Sequence, residues 1–422
     1  MMRFIQKMSV TMMILAVVAT AAAGTEISGF VQGLYGYGSD RNNPVPSELT
    51  ASEVRLQMRL ESYSDAAEYF GRLDFVYDDY LEPEYRMILR EGYLKFSVGS
   101  NVDMKIGRQV ITWGTGDLIF INDLFPKDYQ SFFAGRDDQY LKSPQNAVRA
   151  TFYGGPGSLD IVYTPRFAPD ITPTGERFSY YNPMEGGYVG GEGFIMDPAL
   201  PDAEVANGEV AARYSKYIGT IDAALYYYRG FYKGPVGMAP DPADPATMTA
   251  FYPGLQVFGA SLRSPVLGGV FWTEGGYYDS LDDSEGDDPF IPNSSIQSLV
   301  GFERAVNQSF TANIQYQNIM ITDHDRYLET LPMGMNEEDE MYHLLTSRMT
   351  MLFLMETLNV SLFGFYSPSE EDFYGRMAVS YRFTDEVTMV VGANVFESAD
   401  PWTKFGMFDR NDNVYMKFTY GL

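Results

Sequence analysis

The chain has 422 residues, no cysteine, 56 acidic against 30 basic side chains and an aromatic share of 15%. Without cysteine, disulfide stapling, thiolate catalysis and cysteine-ligated metals are excluded. A formal net charge of −26 at pH 7 leaves no expectation of a nucleic-acid partner, and no cofactor motif is found.

In chain order, the first element reads as an export signal. Arg3 and Lys7 precede the apolar run Met8 to Val18, and Ala21-Ala22-Ala23 supplies the small residues of a cleavage site. Residues 1–23 are therefore expected to be removed, leaving 24–422 as one domain. After Val18 no apolar run approaches the roughly 18 to 20 residues of a membrane helix. A chain of this kind can span a membrane only as a closed barrel, since lipid offers no partner to an open backbone.

The strand signal is clearest in the second predicted element. From Val54 to Glu61, Val54, Leu56, Met58 and Leu60 alternate with Arg55, Gln57, Arg59 and Glu61. Successive side chains of a strand point to opposite faces, so this strand separates an apolar from a polar surrounding. Alternation and turn residues place strands near 26–37, 51–63, 67–78, 85–98, 102–113, 145–153, 157–165, 208–217, 220–229, 254–264, 268–278, 296–305, 309–321, 341–354, 357–366, 372–383, 386–397 and 412–422. Tight turns such as Ser64-Asp65-Ala66 and Gly154-Gly155-Pro156 alternate with mostly long, acid-rich connections, including 114–144, 166–207, 279–295 and 322–340. The pattern predicts an all-β fold: a transmembrane up-and-down antiparallel β-barrel of about 18 strands, with 16 the alternative, having short periplasmic turns and long acidic external loops.

An arginine on the lipid face costs roughly 2 to 4 kcal/mol near the bilayer midplane. The strand arginines are accordingly expected inside. Arg55, Gln57, Arg59, Glu61, Arg72, Asp74, Arg149, Arg213, Arg376 and Arg382 are the candidate lumen-lining residues, with Asp78, Thr311, Asn313, Gln315 and Gln317 beside them. A row of arginines suits anionic solutes; cross-strand bracing of the wall is the plainer reading.

Two segments carry a family likeness. Met416-Lys417-Phe418-Thr419-Tyr420-Gly421-Leu422 resembles the closing strand of Gram-negative outer-membrane porins, with Phe418, Tyr420 and Leu422 as the expected membrane-insertion signal. Porins usually end in Phe or Trp, and Leu422 departs from that. The run Gly107-Arg108-Gln109-Val110-Ile111-Thr112-Trp113-Gly114, followed by Asn122-Asp123-Leu124-Phe125-Pro126-Lys127-Asp128, is similar to one in an uncharacterised group of porin-like outer-membrane proteins. The resemblance implies a Gram-negative outer membrane, lipopolysaccharide and the barrel-assembly machinery as surroundings, and small hydrophilic solutes as cargo. A homo-oligomer would also be in keeping, but no residue identifies an interface. By the same analogy the third external loop, 114–144, folds into the lumen. There Phe120, Ile121, Leu124, Phe125, Phe132 and Phe133 would face the wall, leaving Asp117, Asp123, Asp128, Asp137 and Asp138 exposed as constriction candidates. An ordinary external loop is the alternative.

The other acidic runs, Asp282 to Asp288 and Glu337 to Glu340, lack the spacing of a calcium loop, and no metal site is expected. With His324 and His343 the only histidines, a Ser-His hydrolase has few ways to be assembled. The expected function is passive diffusion through a water-filled channel. The alternatives are a structural barrel housing a secreted or electron-carrying protein, and, last, an outer-membrane enzyme.

Overall fold

The computed structural model describes residues 25–80, 83–191, 193–241 and 247–422. The export signal expected over 1–23 lies outside them. Eighteen long strands form one antiparallel sheet: β1 (Thr25–Gly38), β2 (Leu49–Tyr63), β3 (Glu68–Asp78), β4 (Tyr85–Val98), β5 (Val102–Gln109), β6 (Gln145–Gly154), β7 (Gly157–Thr164), β8 (Glu209–Ile218), β9 (Ile221–Phe231), β10 (Gly254–Val266), β11 (Gly269–Ser280), β12 (Ser295–Asn307), β13 (Phe310–Ile321), β14 (Met341–Phe353), β15 (Leu358–Ser367), β16 (Asp372–Arg382), β17 (Val387–Ser398) and β18 (Asn413–Gly421). Each strand pairs with the next, and β1 pairs with β18 from Phe30 opposite Gly421 to Gly38 opposite Asn413. That last pairing closes the barrel and leaves no sheet edge.

The alternation in the sequence is the alternation of the wall. Ile27, Val54, Phe75, Leu89, Ile106, Leu225, Phe258, Ile314, Met377 and Phe418 stand exposed on the outer face. Their inward neighbours include Gln32, Arg55, Gln57, Asp74, Asn313 and Gln315, all buried. A continuous apolar outer surface on a closed barrel is what a hydrocarbon surrounding requires.

Three departures from strict alternation matter for the interior. The strand expected over 102–113 ends at Gln109. Gly107 has a φ of 132°, and a Cβ there would stand 2.3 Å from the Gly92 carbonyl oxygen; beyond it the chain leaves the wall. In β4 the register passes from Arg72 opposite Glu91 to Leu73 opposite Leu89, so Arg90 is an extra, bulged residue. Both Arg90 and Glu91 are buried, and Arg90 bonds carbonyls of the inner segment described below. Finally, Arg108 falls on the outward parity with Ile106, opposite Gly92, and its Nε donates to the Leu89 carbonyl at 2.8 Å. The expectation that every strand arginine points inward fails there, and the carbonyl beside the bulge is what receives it.

The connections hold more structure than their composition showed. Helix α1 (Tyr129–Phe133) lies in the connection after β5 and α2 (His324–Thr330) in that after β13. Short hairpins, Tyr180–Asn182 with Gly187–Val189 and Gly237–Pro240 with Met248–Phe251, fold within two others.

Candidate channel interior

Residues 110–144 cross the inside of the barrel and bond to inward-facing side chains around most of its circumference. On β11, Glu274 accepts the Thr115 N–H at 2.8 Å, and Tyr278 Oη donates to the Ile121 carbonyl at 2.5 Å. On β13, Gln315 accepts the Asp117 N–H and donates to the Asp117 carbonyl, both at 2.8 Å. Asn394 of β17 and Asn413 of β18 both donate to the Phe133 carbonyl. On β2, Glu53 receives Arg136 at 2.6 Å, and Gln57 donates to Tyr140 Oη at 2.9 Å. Arg90 of β4 donates to the carbonyls of Gln139 and Lys142, each at 3.1 Å.

Apolar packing completes the attachment. Ile111, Trp113, Ile119, Ile121, Phe125, Phe132, Phe133 and Leu141 form one buried cluster with inward residues of the wall, among them Val162, Tyr226, Val257, Leu299, Phe363, Tyr374 and Phe396. A polar inside and an apolar outside therefore hold only where the wall meets water. Where it meets this segment, the inward face is dry and sets apolar side chains among the polar ones that bond the segment.

Of the five acidic candidates of the segment only Asp138 is exposed, and each of the five has a partner. Asp123 is buried and paired with Lys127 at 3.2 Å and Lys142 at 2.9 Å, both from its own segment. Asp128 caps α1, accepting the Ser131 N–H at 2.7 Å. Asp137 pairs with Lys417 of β18 and accepts from Gln32 at 3.0 Å. Burial works against its charge, but the Lys417 ammonium and the Gln32 bond outweigh it and hold the carboxyl below its usual range. Asp117 pairs with Arg348 at 2.8 Å, and Asp138 with Arg376 at 2.9 Å. Of the five, Asp138 keeps the greatest side-chain exposure among the ion-paired ones, 53%.

A second connection, 165–208, follows the first inward. The Ile171 N–H donates to the Lys127 carbonyl at 2.7 Å, and Asp170 accepts the Lys127 N–H at 2.6 Å. Burial pushes the Asp170 carboxyl up to about 6, against the opposing pull of Lys127. Arg177 reaches Asp78 at 2.6 Å and the Thr50 carbonyl at 2.7 Å.

The candidate lumen residues divide by height. Arg55, Gln57 and Asp74 are buried behind the inner segment. There Arg55 pairs with Asp74 and Glu53, and its guanidinium lies 4.3 Å from the centre of the Tyr140 ring. Nearer the short turns, Arg59 pairs with Glu61 and keeps 47% side-chain exposure. Arg72 lies 3.4 Å from Glu91, and Arg149 pairs with Asp160 at 2.8 Å. Arg213 and Arg382 have no carboxylate within ion-pair distance among the described residues. Lys105, which the sequence reading passed over, is in the same position, with its ammonium 3.7 Å from the Tyr93 ring centre. Its parity in β5 was the available signal. Like charges stand opposite one another in the ladder: Arg59 with Arg72, Lys95 with Lys105, and Lys105 with Arg149.

Of the remaining sequence candidates, Phe418, Tyr420 and Leu422 are exposed on the outer face. Asp283 turns its carboxylate onto the N–H groups of Gly286, Asp287 and Asp288. His343 bonds Tyr316 and Asn318, and His324 the Glu338 carbonyl.

No family model and no curated relative matches the chain. Among solved structures it is similar to OccK3 (OpdO) of Pseudomonas aeruginosa, with a TM-score of 0.57 and 12% identity over 96% of this chain and 97% of that one. OccK2 (OpdF) of the same organism, solved in complex with glucuronate, gives 0.55 and 8% over 94% and 98%. OccK11 (OpdR), also of P. aeruginosa, gives 0.50 and 12% over 94% and 96%. At these identities the likeness establishes a shared fold over nearly the whole of each chain.

Proposed function

We propose that the chain is an outer-membrane channel for passive diffusion of small hydrophilic solutes, exported by way of residues 1–23 and narrowed by residues 110–144. The observation that carries this reading is a closed barrel that is apolar outside and bears exposed charged side chains inside. The inner segment leaves polar wall only on part of the circumference, which favours small solutes over a protein passenger.

Among small solutes, those bearing a carboxylate or phosphate fit best. Setting like charges opposite one another in a ladder costs stability, and Arg59, Arg72, Lys95, Lys105 and Arg149 do so repeatedly along one arc. A passing anion would relieve that repulsion, and arginine offers a planar two-point grip on it. Glu61, Glu68, Glu91 and Asp160 lie on the same arc and keep the preference modest. OccK2 was captured with glucuronate, a carboxylate sugar, and the proposal extends that class of cargo to this chain.

Planar-bilayer recording of the purified protein tests the reading. Stable ohmic steps, with a reversal potential in a salt gradient shifted a few millivolts toward the anion side, are expected. Electrical silence would sink the channel assignment, and a cation-selective reversal potential would sink the role given to the basic arc.

A further inference from the structure

Two guanidinium groups converge on a single carboxylate at the level of the inner segment. Arg376 of β16 brings its Nη1 to 2.9 Å from Asp138 Oδ1, and Arg348 of β14 brings its Nη1 to 3.8 Å from Asp138 Oδ2. Asp138 opens the single 3₁₀ turn Asp138–Tyr140. Its side chain is 53% exposed, where those of Arg348 and Arg376 are 26% and 12%. Inside a closed barrel, that is exposure to the water of the passage.

Both arginines are held in place by groups other than Asp138. Arg348 grips Asp117 with two nitrogens, Nε to Oδ2 at 2.8 Å and Nη2 to Oδ1 at 2.9 Å, and Asn313 donates to Asp117 in turn at 2.8 Å. The Arg348 guanidinium lies 4.9 Å from the centre of the Phe363 ring. Arg376 lies 4.7 Å from the centre of the Phe132 ring and donates to the Arg136 carbonyl at 3.3 Å. Among the described residues one hydrogen bond, from Arg376, holds the Asp138 carboxylate. The backbone at this point has anchors of its own: Asp137 is tied to Lys417 and Gln32, and Tyr140 to Gln57. The Asp138 side chain can therefore swing away while the segment stays where it is.

Two cations fixed in advance around one weakly held carboxylate make an anion site that already contains an anion of the chain's own. We infer that Arg348 and Arg376 form a carboxylate station, that Asp138 fills it at rest, and that the carboxylate of a passing solute takes the place of Asp138. The inference rests on the channel reading above and adds a second grip, separate from the basic arc below the segment. With Asp138 seated, its charge and that of Asp117 balance the two arginines. With Asp138 turned out into the water, the station is left with one uncompensated positive charge, which a monocarboxylate neutralises. Arginine offers that carboxylate N–H groups in a planar fork, whereas a neutral sugar cannot compete for the place of an anion.

The test uses the full mature chain, with glucuronate as the probe and glucose as its neutral control. Affinity is read by saturation-transfer NMR of the barrel in detergent at low salt, and conduction by planar-bilayer recording of the same preparation. Asp138→Asn removes the competing charge at an exposed position with little change of shape. An exposed ion pair is worth little, so glucuronate affinity should rise about two- to fivefold. Arg376→Gln removes a charged donor and should lower it about tenfold; glucose binding should change in neither variant. Glucuronate affinity that is unchanged or lower in Asp138→Asn would overturn the station, and so would an equal change for glucose. If Arg376→Gln does not fold, Asp138→Asn decides alone. The two readings fail separately: a barrel that conducts but does not respond to Asp138→Asn keeps the channel and loses the station, while a silent barrel that binds glucuronate more tightly in Asp138→Asn keeps the station and loses the channel.

Discussion

The inner segment is held to two neighbouring arcs of the barrel, separated by β1 and β18, by opposite chemistry. Against β2 and β3 the attachment is ionic: Arg55, Arg136 and Arg177 interlock with Glu53, Asp74 and Asp78, and every one of these side chains is at most 11% exposed. Against β16 and β17 it is aromatic. Phe133 lies 5.0 Å from Phe396 and 5.5 Å from Tyr374, centre to centre, with Phe178 and Phe408 from other connections closing around it. Both walls remove the segment from water, but they tolerate change differently. A buried ion network depends on charge balance at fixed geometry, while a ring cluster depends chiefly on filled volume.

That contrast makes its largest prediction at Glu53. Glu53→Gln keeps the shape and removes the charge, leaving Arg55 and Arg136 with one counter-ion fewer in a dry site. Breaking a buried pair of this sort costs about 3 to 5 kcal/mol. The variant should unfold earlier in denaturant and show flickering open-channel current as the segment loosens. Phe133→Leu, which keeps an apolar side chain on the aromatic wall but gives up its ring contacts, should cost about 1 to 3 kcal/mol, less than Glu53→Gln because no buried charge is left unpaired, and leave the current quiet. If the two variants behave alike, the two walls are not different anchors.

The wall was legible in the sequence, and the anchors were not. All eighteen strands follow from alternation because each faces two different surroundings, and a one-residue slip would invert every side chain. The same rule hid what the inside contains. Tyr226, Phe363, Tyr374 and Phe396 sit on inward parity and read as conflicts with a polar lumen until the segment that covers them is known. The bulge at Arg90 leaves no local mark in the composition of β4. For the inner segment, its apolar residues were readable as wall-facing, but the fate of its carboxylates was not. Lys127 lies four residues from Asp123 and could be suspected, whereas Lys417 is 280 residues from Asp137 and meets it only through barrel closure.

The exposed charges below the segment allow a finer comparison, between the ionic arc facing water and the ionic network buried above it. Arg59→Gln combined with Lys105→Gln removes two cations from the wet arc and none from the dry one. Surface ion pairs contribute roughly 0 to 1 kcal/mol each, so the unfolding midpoint should barely move. The reversal potential should shift toward cations, and a carboxylate sugar should enter proteoliposomes severalfold more slowly while a neutral sugar of the same size is unaffected. An unchanged ratio of the two sugars would show that the basic arc braces the wall and does not select.

The smallest effect is expected where the second connection meets the first. Asp170 has its carboxyl pushed up to about 6 by burial, above the roughly 3.9 of an unfolded aspartate. Between those values the folded state binds more protons than the unfolded one, so stability falls as pH rises through that window and is greatest below it. Docking of residues 170–172 onto Lys127 should therefore tighten on going from pH 7.5 to pH 5, the reverse of what a salt-bridged aspartate such as Asp137 would give. The Ile171 amide, which donates to the Lys127 carbonyl, should show higher hydrogen-exchange protection at the lower pH after correction for the intrinsic rate. Asp170→Asn, neutral at every pH, should hold that protection constant. Protection that instead falls with acidification in the wild type would mean that the Lys127 backbone stabilises the charged carboxylate more than burial opposes it.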